Sequence, residues 1–202
     1  MKKLIAGVVL GVSLSATAYG AGDPQAGEAN AAVCAGCHGQ GGAQPVVAEY
    51  PKLSGLGETY LHRQLQLIKP QDRPIPSMMG LLDNMSDQDL QDLAAYFDSQ
   101  DMIIGKANPE LVDLGEKIYR GGNLASSVPS CAACHSPDGK GNEPAGYPRL
   151  SGQSADYVVK QLKAYRSGER DSGPFASVMM DVASGLTDEE IEAVASYVSG
   201  LH

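Results

Sequence analysis

The stretches VCAGCHGQGG (33–42) and SCAACHSPDG (130–139) hold all four cysteines of this 202-residue chain. Each sets a Cys-x-x-Cys pair directly before a histidine, first Cys34, Cys37 and His38, then Cys131, Cys134 and His135. Which chemistry such a pair performs depends on the compartment and on what the rest of the chain supplies.

The amino terminus addresses the compartment. Lys2 and Lys3 precede an apolar run over residues 4–14, and small residues follow at Ala16, Ala18 and Gly20. That is the pattern of a secretory leader cleaved after Gly20. The run is well short of the roughly 20 apolar residues that span a bilayer, and no later stretch is long enough to do so. The expected mature chain, 21–202, is an exported, soluble protein of the periplasm. Loss of Lys2 and Lys3 leaves 13 basic residues against 24 acidic ones, a formal charge of −11 where the whole chain has −9. Nucleic acid is therefore not an expected partner, because phosphate binding needs excess Lys and Arg. An acidic surface favours solubility and basic docking partners.

The cysteine motifs also reveal a duplication. Cys34, Cys37 and His38 recur 97 residues later, and at the same offset YPKLSG (50–55) becomes YPRLSG (147–152), with Tyr60, Gln64 and Leu65 becoming Tyr157, Gln161 and Leu162. Further on the offset is 101: LAAYF (93–97) matches VASYV (194–198). A period of about 100 residues suits two tandem domains rather than a solenoid unit. We expect domains at 21–101 and 108–202 joined by a linker at 102–107. Asp23-Pro24 and Asn108-Pro109 read as openings of the first helices, since a capping side chain precedes a proline at the first helical position. Middle helices are expected over 59–69 and 155–167. Ser86-x-x-Asp89 and Thr187-x-x-Glu190 read as capping boxes that open the last helices. Apolar residues then recur at helical spacing, Leu90, Leu93, Ala94 and Phe97 in one copy and Ile191, Val194, Ala195 and Val198 in the other. No alternating strand pattern stands out, so the fold class is all-α. Each domain is small and rich in glycine loops, the chain has no Trp and two Phe, and cores this size generally need a staple or a cofactor.

Three chemistries compete for Cys-x-x-Cys: a redox dithiol, a zinc site and covalent haem. A dithiol of the thioredoxin type belongs beside a βαβ pattern that is lacking here. A zinc site draws paired motifs together some 15 to 20 residues apart, whereas these pairs sit in different repeats. Covalent haem alone gives the histidine a necessary task. Cys34 and Cys37 would add to the vinyl groups of one porphyrin with His38 on its iron, and Cys131, Cys134 and His135 would do the same for a second. Two covalently attached haem c groups are the expected cofactors, and they would fill the missing core.

The opposite iron ligand decides between electron transfer and ligand chemistry, since methionine closes the iron and raises its potential. Met78 lies eight residues before Ser86, and Met179 eight before Thr187. These equivalent positions mark them as candidate ligands. Each is followed by a second methionine, Met79 and Met180, and the residues alone leave that choice open. Met85 and Met102 read as core filling. His62 pairs with Val159 in the second copy and reads as a surface or locally bonded histidine. The glycine loops 39–42 and 139–141 follow no strand, so they are not phosphate cradles, and they are expected to pass along the porphyrin edge. A carbonyl near Pro45, or within 141–144, is expected to accept the Nδ1 hydrogen of the iron-bound histidine.

Taken together, AGDPQAG, CAGCHG, YPKLSGLGETYLHRQL, SDQDLQDLAAYF, GEKIYRGG, CAACHSPDGKGN, YPRLSGQ and the final SYVSGLH closely resemble the cytochrome c4 family. The resemblance covers essentially all of 21–202. It implies two class I cytochrome c domains related by a pseudo-twofold axis, each iron held by histidine and methionine, with the ligand methionines falling on Met78 and Met179. It implies periplasmic transfer of single electrons toward a membrane terminal oxidase or other redox proteins, with peripheral membrane contact left open and no small-molecule substrate. It also implies crossing of first and last helices at Gly27 with Tyr96 or Phe97, and at Gly115 with Tyr197. The alternative is a di-haem electron-accepting subunit of a periplasmic dehydrogenase such as flavocytochrome sulfide dehydrogenase; a di-haem enzyme with an open iron is a third. The second copy carries nine extra residues between Gly115 and Cys131, expected to shape the exposure of one haem.

Overall fold

The computed structural model describes residues 22–202, so the expected leader at 1–20 lies outside the described residues. Among the described residues there are nine α-helices and no sheet; single bridges pair Asn123 with Val128 and Asn142 with Tyr147. The first copy holds α1 (Pro24–Ala31), α2 (Ala35–His38), α3 (Glu58–Ile68) and α4 (Asp87–Asp98). The second holds α5 (Val112–Gly121), α6 (Ala132–His135), α7 (Ala155–Ser167), α8 (Ala176–Ser184) and α9 (Asp188–Gly200). The two copies form two tandem helical domains.

Local chemistry sets the helix starts. The Asp23 carboxylate accepts from the Gln25 and Ala26 amides ahead of Pro24. Both capping boxes form: Ser86 with Asp89 opens α4, and Thr187 with Glu190 opens α9. The second copy differs at its entry. Asn108 caps a turn through the Glu110 amide at 3.0 Å, and its own amide is held by the Ser196 hydroxyl at 2.8 Å. Helix α5 therefore begins at Val112, a turn beyond the expected Asn108-Pro109 opening. The middle helices lie at Glu58–Ile68 and Ala155–Ser167, within a residue of expectation.

In each domain the first helix crosses the last, α1 on α4 and α5 on α9. A Cβ at Gly27 would lie 2.0 Å from the Asp92 carbonyl oxygen and 2.8 Å from Tyr96 Cβ. At Gly115 it would lie 2.3 Å from the Ala193 carbonyl oxygen and 2.6 Å from Tyr197 Cβ. Only a residue without a side chain permits these approaches, and of the two expected partners of Gly27 it is Tyr96 that meets it. Leu93, Ala94 and Phe97 bury the inner face of α4, and Ile191, Val194 and Val198 that of α9.

The domains meet along α3 and α7. The Gln153 side-chain amide donates to the Lys52 carbonyl and its oxygen accepts from the Lys52 amide, each at 2.9 Å. Lys52 Nζ reaches the Ile103 and Gly152 carbonyls. Gly57 precedes α3 and offers no capping side chain, and the Glu143 carboxylate of the other domain instead accepts from the Thr59 amide at 2.7 Å. The segment joining the domains is itself fastened, its Gly105 amide donating to the Ser199 carbonyl at 2.9 Å.

Candidate functional site: two histidine–methionine clefts

The short helices α2 and α6 turn His38 and His135 inward, leaving them 7% and 8% exposed. Each ring is fixed from behind. His38 Nδ1 lies 2.9 Å from the Pro51 carbonyl oxygen, and His135 Nδ1 lies 2.9 Å from that of Pro148. This corrects the expectation that the acceptor comes from near Pro45 or from 141–144. The repeated Tyr-Pro-x-Leu-Ser-Gly segment is the shelf that supplies it. Tyr50 and Tyr147 lie beside the two imidazoles at 6.2 and 6.1 Å between centroids. Further along, the Leu53 and Ser54 amides bond the Gly42 carbonyl and Gly55 bonds Phe97; Leu150, Ser151 and Gly152 repeat this with Gly139 and Val198. The shelf thereby ties the haem-motif loop to the last helix.

Burial pushes both imidazoles below their ordinary pKa, against a smaller upward push from the proline carbonyls. Each ring is therefore neutral at pH 7, and an Nδ1–H committed to a carbonyl leaves Nε2 with a free lone pair, the form that ligates a metal. Burial also raises the Cys34 thiol and lifts Cys131 to about 11. Among the described residues no three His, Cys, Asp or Glu side chains gather as a metal cage.

Each histidine faces a largely apolar cleft, about 1260 Å³ in the first domain and about 1510 Å³ in the second measured to the open mouth. Cys34, Cys37, His38 and Met78 line the first; Cys131, Cys134, His135 and Met179 line the second. Met79 and Met180 line neither, and Met79 is 65% exposed. The two methionines are delivered differently, Met78 at the end of a 3₁₀ turn (Pro76–Met78) and Met179 from within α8, a helix without a sequence expectation. Met102 packs against the core as expected, and Met85 does so while also lining the first cleft. His62 lies 3.2 Å from Asp87, a local bond. The glycine loops do not border the clefts: Gly42 packs on Leu53 and Phe97, and Gly139 on Leu201 and Ser151. Of the nine-residue insertion, Asn123 is bonded to Glu190 at 2.7 Å, and Pro129 borders the second cleft.

Where the clefts approach one another, six polar side chains interlock. Arg73 donates to Gln64 of its own domain at 2.6 Å and to Gln161 and Tyr157 of the other at 2.9 and 3.4 Å. Arg170 mirrors it, donating to Gln161 at 2.7 Å and to Gln64 and Tyr60 at 3.1 Å each. The arginines are 7% and 8% exposed, neither forms an ion pair among the described residues, and the buried Nε of Arg170 has no hydrogen-bond partner. Buried cations of this kind call for an anion. Haem fits that combination: an apolar disc for the cleft, thioether bonds for the cysteines, an iron for the imidazole and thioether sulfur, and carboxylates for the arginines.

The family model described as cytochrome c matches residues 25–101 and again 112–202. Cytochrome c4 of Azotobacter vinelandii is 46% identical over 211 residues, covering 100% of this chain and 100% of its own. The crystal structure of reduced recombinant cytochrome c4 from Pseudomonas stutzeri superposes with a TM-score of 0.85 at 46% identity, covering 90% of this chain and 100% of that one. This chain belongs to the cytochrome c4 family. It is a di-haem electron carrier, with haem c in each of its two domains. A more distant relative, named as a thiosulfate dehydrogenase electron acceptor in Thiomonas intermedia, is 32% identical over 208 residues, covering 98% of this chain and 91% of its own.

Proposed function

We propose that this protein works in the periplasm as a carrier of single electrons between redox proteins, delivering them toward a membrane terminal oxidase and performing no chemistry on a substrate. Its expected leader and acidic composition support this placement. The domains are 21–101 and 108–202, joined by 102–107. Bound haem supplies reversible one-electron exchange at iron. The chain's own residues attach it through Cys34 and Cys37 in the first domain and Cys131 and Cys134 in the second. His38 with Met78 and His135 with Met179 are the iron ligands, and Pro51 and Pro148 hold each imidazole as the Nδ1–H tautomer.

The observation that carries this reading is the pairing, in each cleft, of a buried histidine clamped from behind with one methionine of an adjacent pair. Such a ligand set closes the iron and favours outer-sphere transfer. A spectroscopic redox titration of the haem-loaded protein tests it. Two one-electron steps, with the weak methionine-to-iron charge-transfer band at both irons when oxidised, are expected. An iron that lacks the band and binds small ligands readily would defeat the assignment.

A second reading, the electron-accepting subunit of a dehydrogenase, is favoured by the likeness to thiosulfate dehydrogenase electron acceptors. Tight co-purification with a dehydrogenase would select it over the free carrier.

A further inference from the structure

The two copies match where they face one another and differ where their clefts open to solvent. Five of the large apolar side chains exposed in the structure sit around the first cleft: Val33, Val46, Val47, Met79 and Leu81. Val33 and Leu81 line it, the Val46 amide donates to the Cys37 carbonyl at 3.0 Å, and Met79 adjoins Met78. At the equivalent positions the second copy carries Ser130, Glu143, Pro144, Met180 and Val182. Of these Ser130, Met180 and Val182 are half-buried, and the carboxylate of Glu143 is engaged in capping α3. Val178 is the exposed apolar side chain at that second mouth.

Charge separates the two mouths further. Residues 22–101 contain 11 acidic and 4 basic side chains, and all four basic ones are committed. Lys52, Arg63 and Arg73 bond across the domain interface, and Lys69 bonds the Met85 carbonyl. Lys160, exposed on α7 of the other domain, also lines the first cleft on its interface side. The solvent rim is left with carboxylates, among them exposed Glu49 in the lining and exposed Asp83 beyond Leu81. Residues 102–202 balance 13 acidic side chains with 9 basic ones, and Lys140, Lys163 and Arg166 form exposed ion pairs there.

We propose that the apolar, acid-rimmed mouth of the first cleft is the docking face for a redox protein whose own cofactor edge is ringed by lysine or arginine, so that electrons cross this protein's boundary with such partners at the amino-terminal haem. Apolar contact at the centre excludes water and sets close approach, while the excess of acidic side chains in this domain steers the encounter and disfavours acidic proteins. The proposal rests on the carrier reading for its electron-transfer consequence; the surface itself is read from binding.

The test uses the reduced, haem-loaded protein labelled with nitrogen-15 and lysine-ringed mitochondrial cytochrome c as probe. Amide shifts on titration are expected to concentrate at residues 33, 46–47 and 79–81 and to fade with added salt. Replacing both Val46 and Val47 with Lys should weaken binding about tenfold or more, because like charge then faces the probe, whereas Val178→Lys should leave it unchanged. Shifts centred on the second mouth, equal weakening by Val178→Lys, salt-insensitive or absent binding, or shifts that follow this protein's own concentration would each overturn the proposal. If the footprint appears but stopped-flow mixing shows no electron exchange, the carrier reading fails and the docking face stands.

Discussion

Replacing Gly115 with Ala tests whether the crossing of first and last helices holds each domain together. The added Cβ would stand 2.3 Å from the Ala193 carbonyl oxygen and 2.6 Å from Tyr197 Cβ. Both obstacles belong to the backbone or its first side-chain atom, so neither can rotate away. Relief requires α5 and α9 to separate by about 1 Å, and a gap of that size forfeits a quarter to a half of each dispersion contact across it. The contacts at stake include Ile118, Tyr119, Ile191 and Val198, all almost wholly buried. Overpacking of this kind costs about 3 kcal/mol, and Ala in place of Gly within a helix returns about 0.5–1 kcal/mol. A net loss of about 2 kcal/mol lowers the melting temperature of the coupled two-domain chain by about 4–8 °C. Gly121→Ala is the internal control: it lies in the same helix with no heavy atom within 4 Å of the added Cβ, so it should gain about 0.5 kcal/mol from helix propensity. Thermal unfolding of the haem-loaded protein, followed by circular dichroism, reads both. A Gly115→Ala protein as stable as the parent, or a Gly121→Ala protein equally damaged, would refute the reasoning.

Met78→Ala should abolish the charge-transfer band of one haem and lower its midpoint potential, whereas Met79→Ala should change neither, because Met79 is exposed outside the cleft; spectroelectrochemistry separates the two. Glu143→Gln weakens the carboxylate cap on the Thr59 amide of α3 and should destabilise the domain contact by about 1 kcal/mol, seen as earlier release of the interface in hydrogen exchange at Thr59. Acid should also find a specific target at Asp138, whose carboxyl is held down to about 2, first by the Ser136 hydroxyl and then by Lys140. Its folded pKa lies below the ordinary value near 3.9, so its stabilisation is present above about pH 4 and is lost as pH falls toward 2. In acid melts of Asp138→Asn, the slope between those limits should be shallower than in the parent.

Much of this architecture is legible in the sequence because it rests on side chains at fixed spacing. Cys34, Cys37 and His38 announce themselves, and the capping boxes at Ser86 and Thr187 mark helix starts through the side chains that make them. The register of Met78 against Met179 follows from their equal distance to those boxes. Other features hide because a backbone atom does the work. The Pro51 and Pro148 carbonyls that hold the histidines carry no side-chain signature, although the repeated Tyr-Pro-x-Leu-Ser-Gly marks the segment that contains them. The late start of α5 depends on Ser196, far along the chain, holding the Asn108 amide. Arg73 and Arg170 lie at the same 97-residue offset as Tyr60 with Tyr157 and Gln64 with Gln161. That shared offset is a signal that the arginines belong with them, but only the fold shows that each crosses to the other copy.

This crossing makes the two halves energetically inseparable. In a symmetric contact the same residue types meet twice, and here one amide oxygen serves both cations: Gln64 accepts from Arg73 at 2.6 Å and Arg170 at 3.1 Å, while Gln161 accepts from them at 2.9 and 2.7 Å. Gln64→Leu therefore removes an acceptor from a buried cation in each domain at once. Leaving buried donors unpaired costs about 1–3 kcal/mol, and more where they are charged. Gln161→Leu should cost a similar amount by the symmetry, and the two changes together should cost more than their sum, since each single variant leaves both arginines one shared oxygen that the double variant takes away. Denaturant unfolding of the four proteins in the cycle measures that excess. Strict additivity would mean that the arginines find their principal partner elsewhere, and that the interlocked side chains fill the seam between the domains without coupling them.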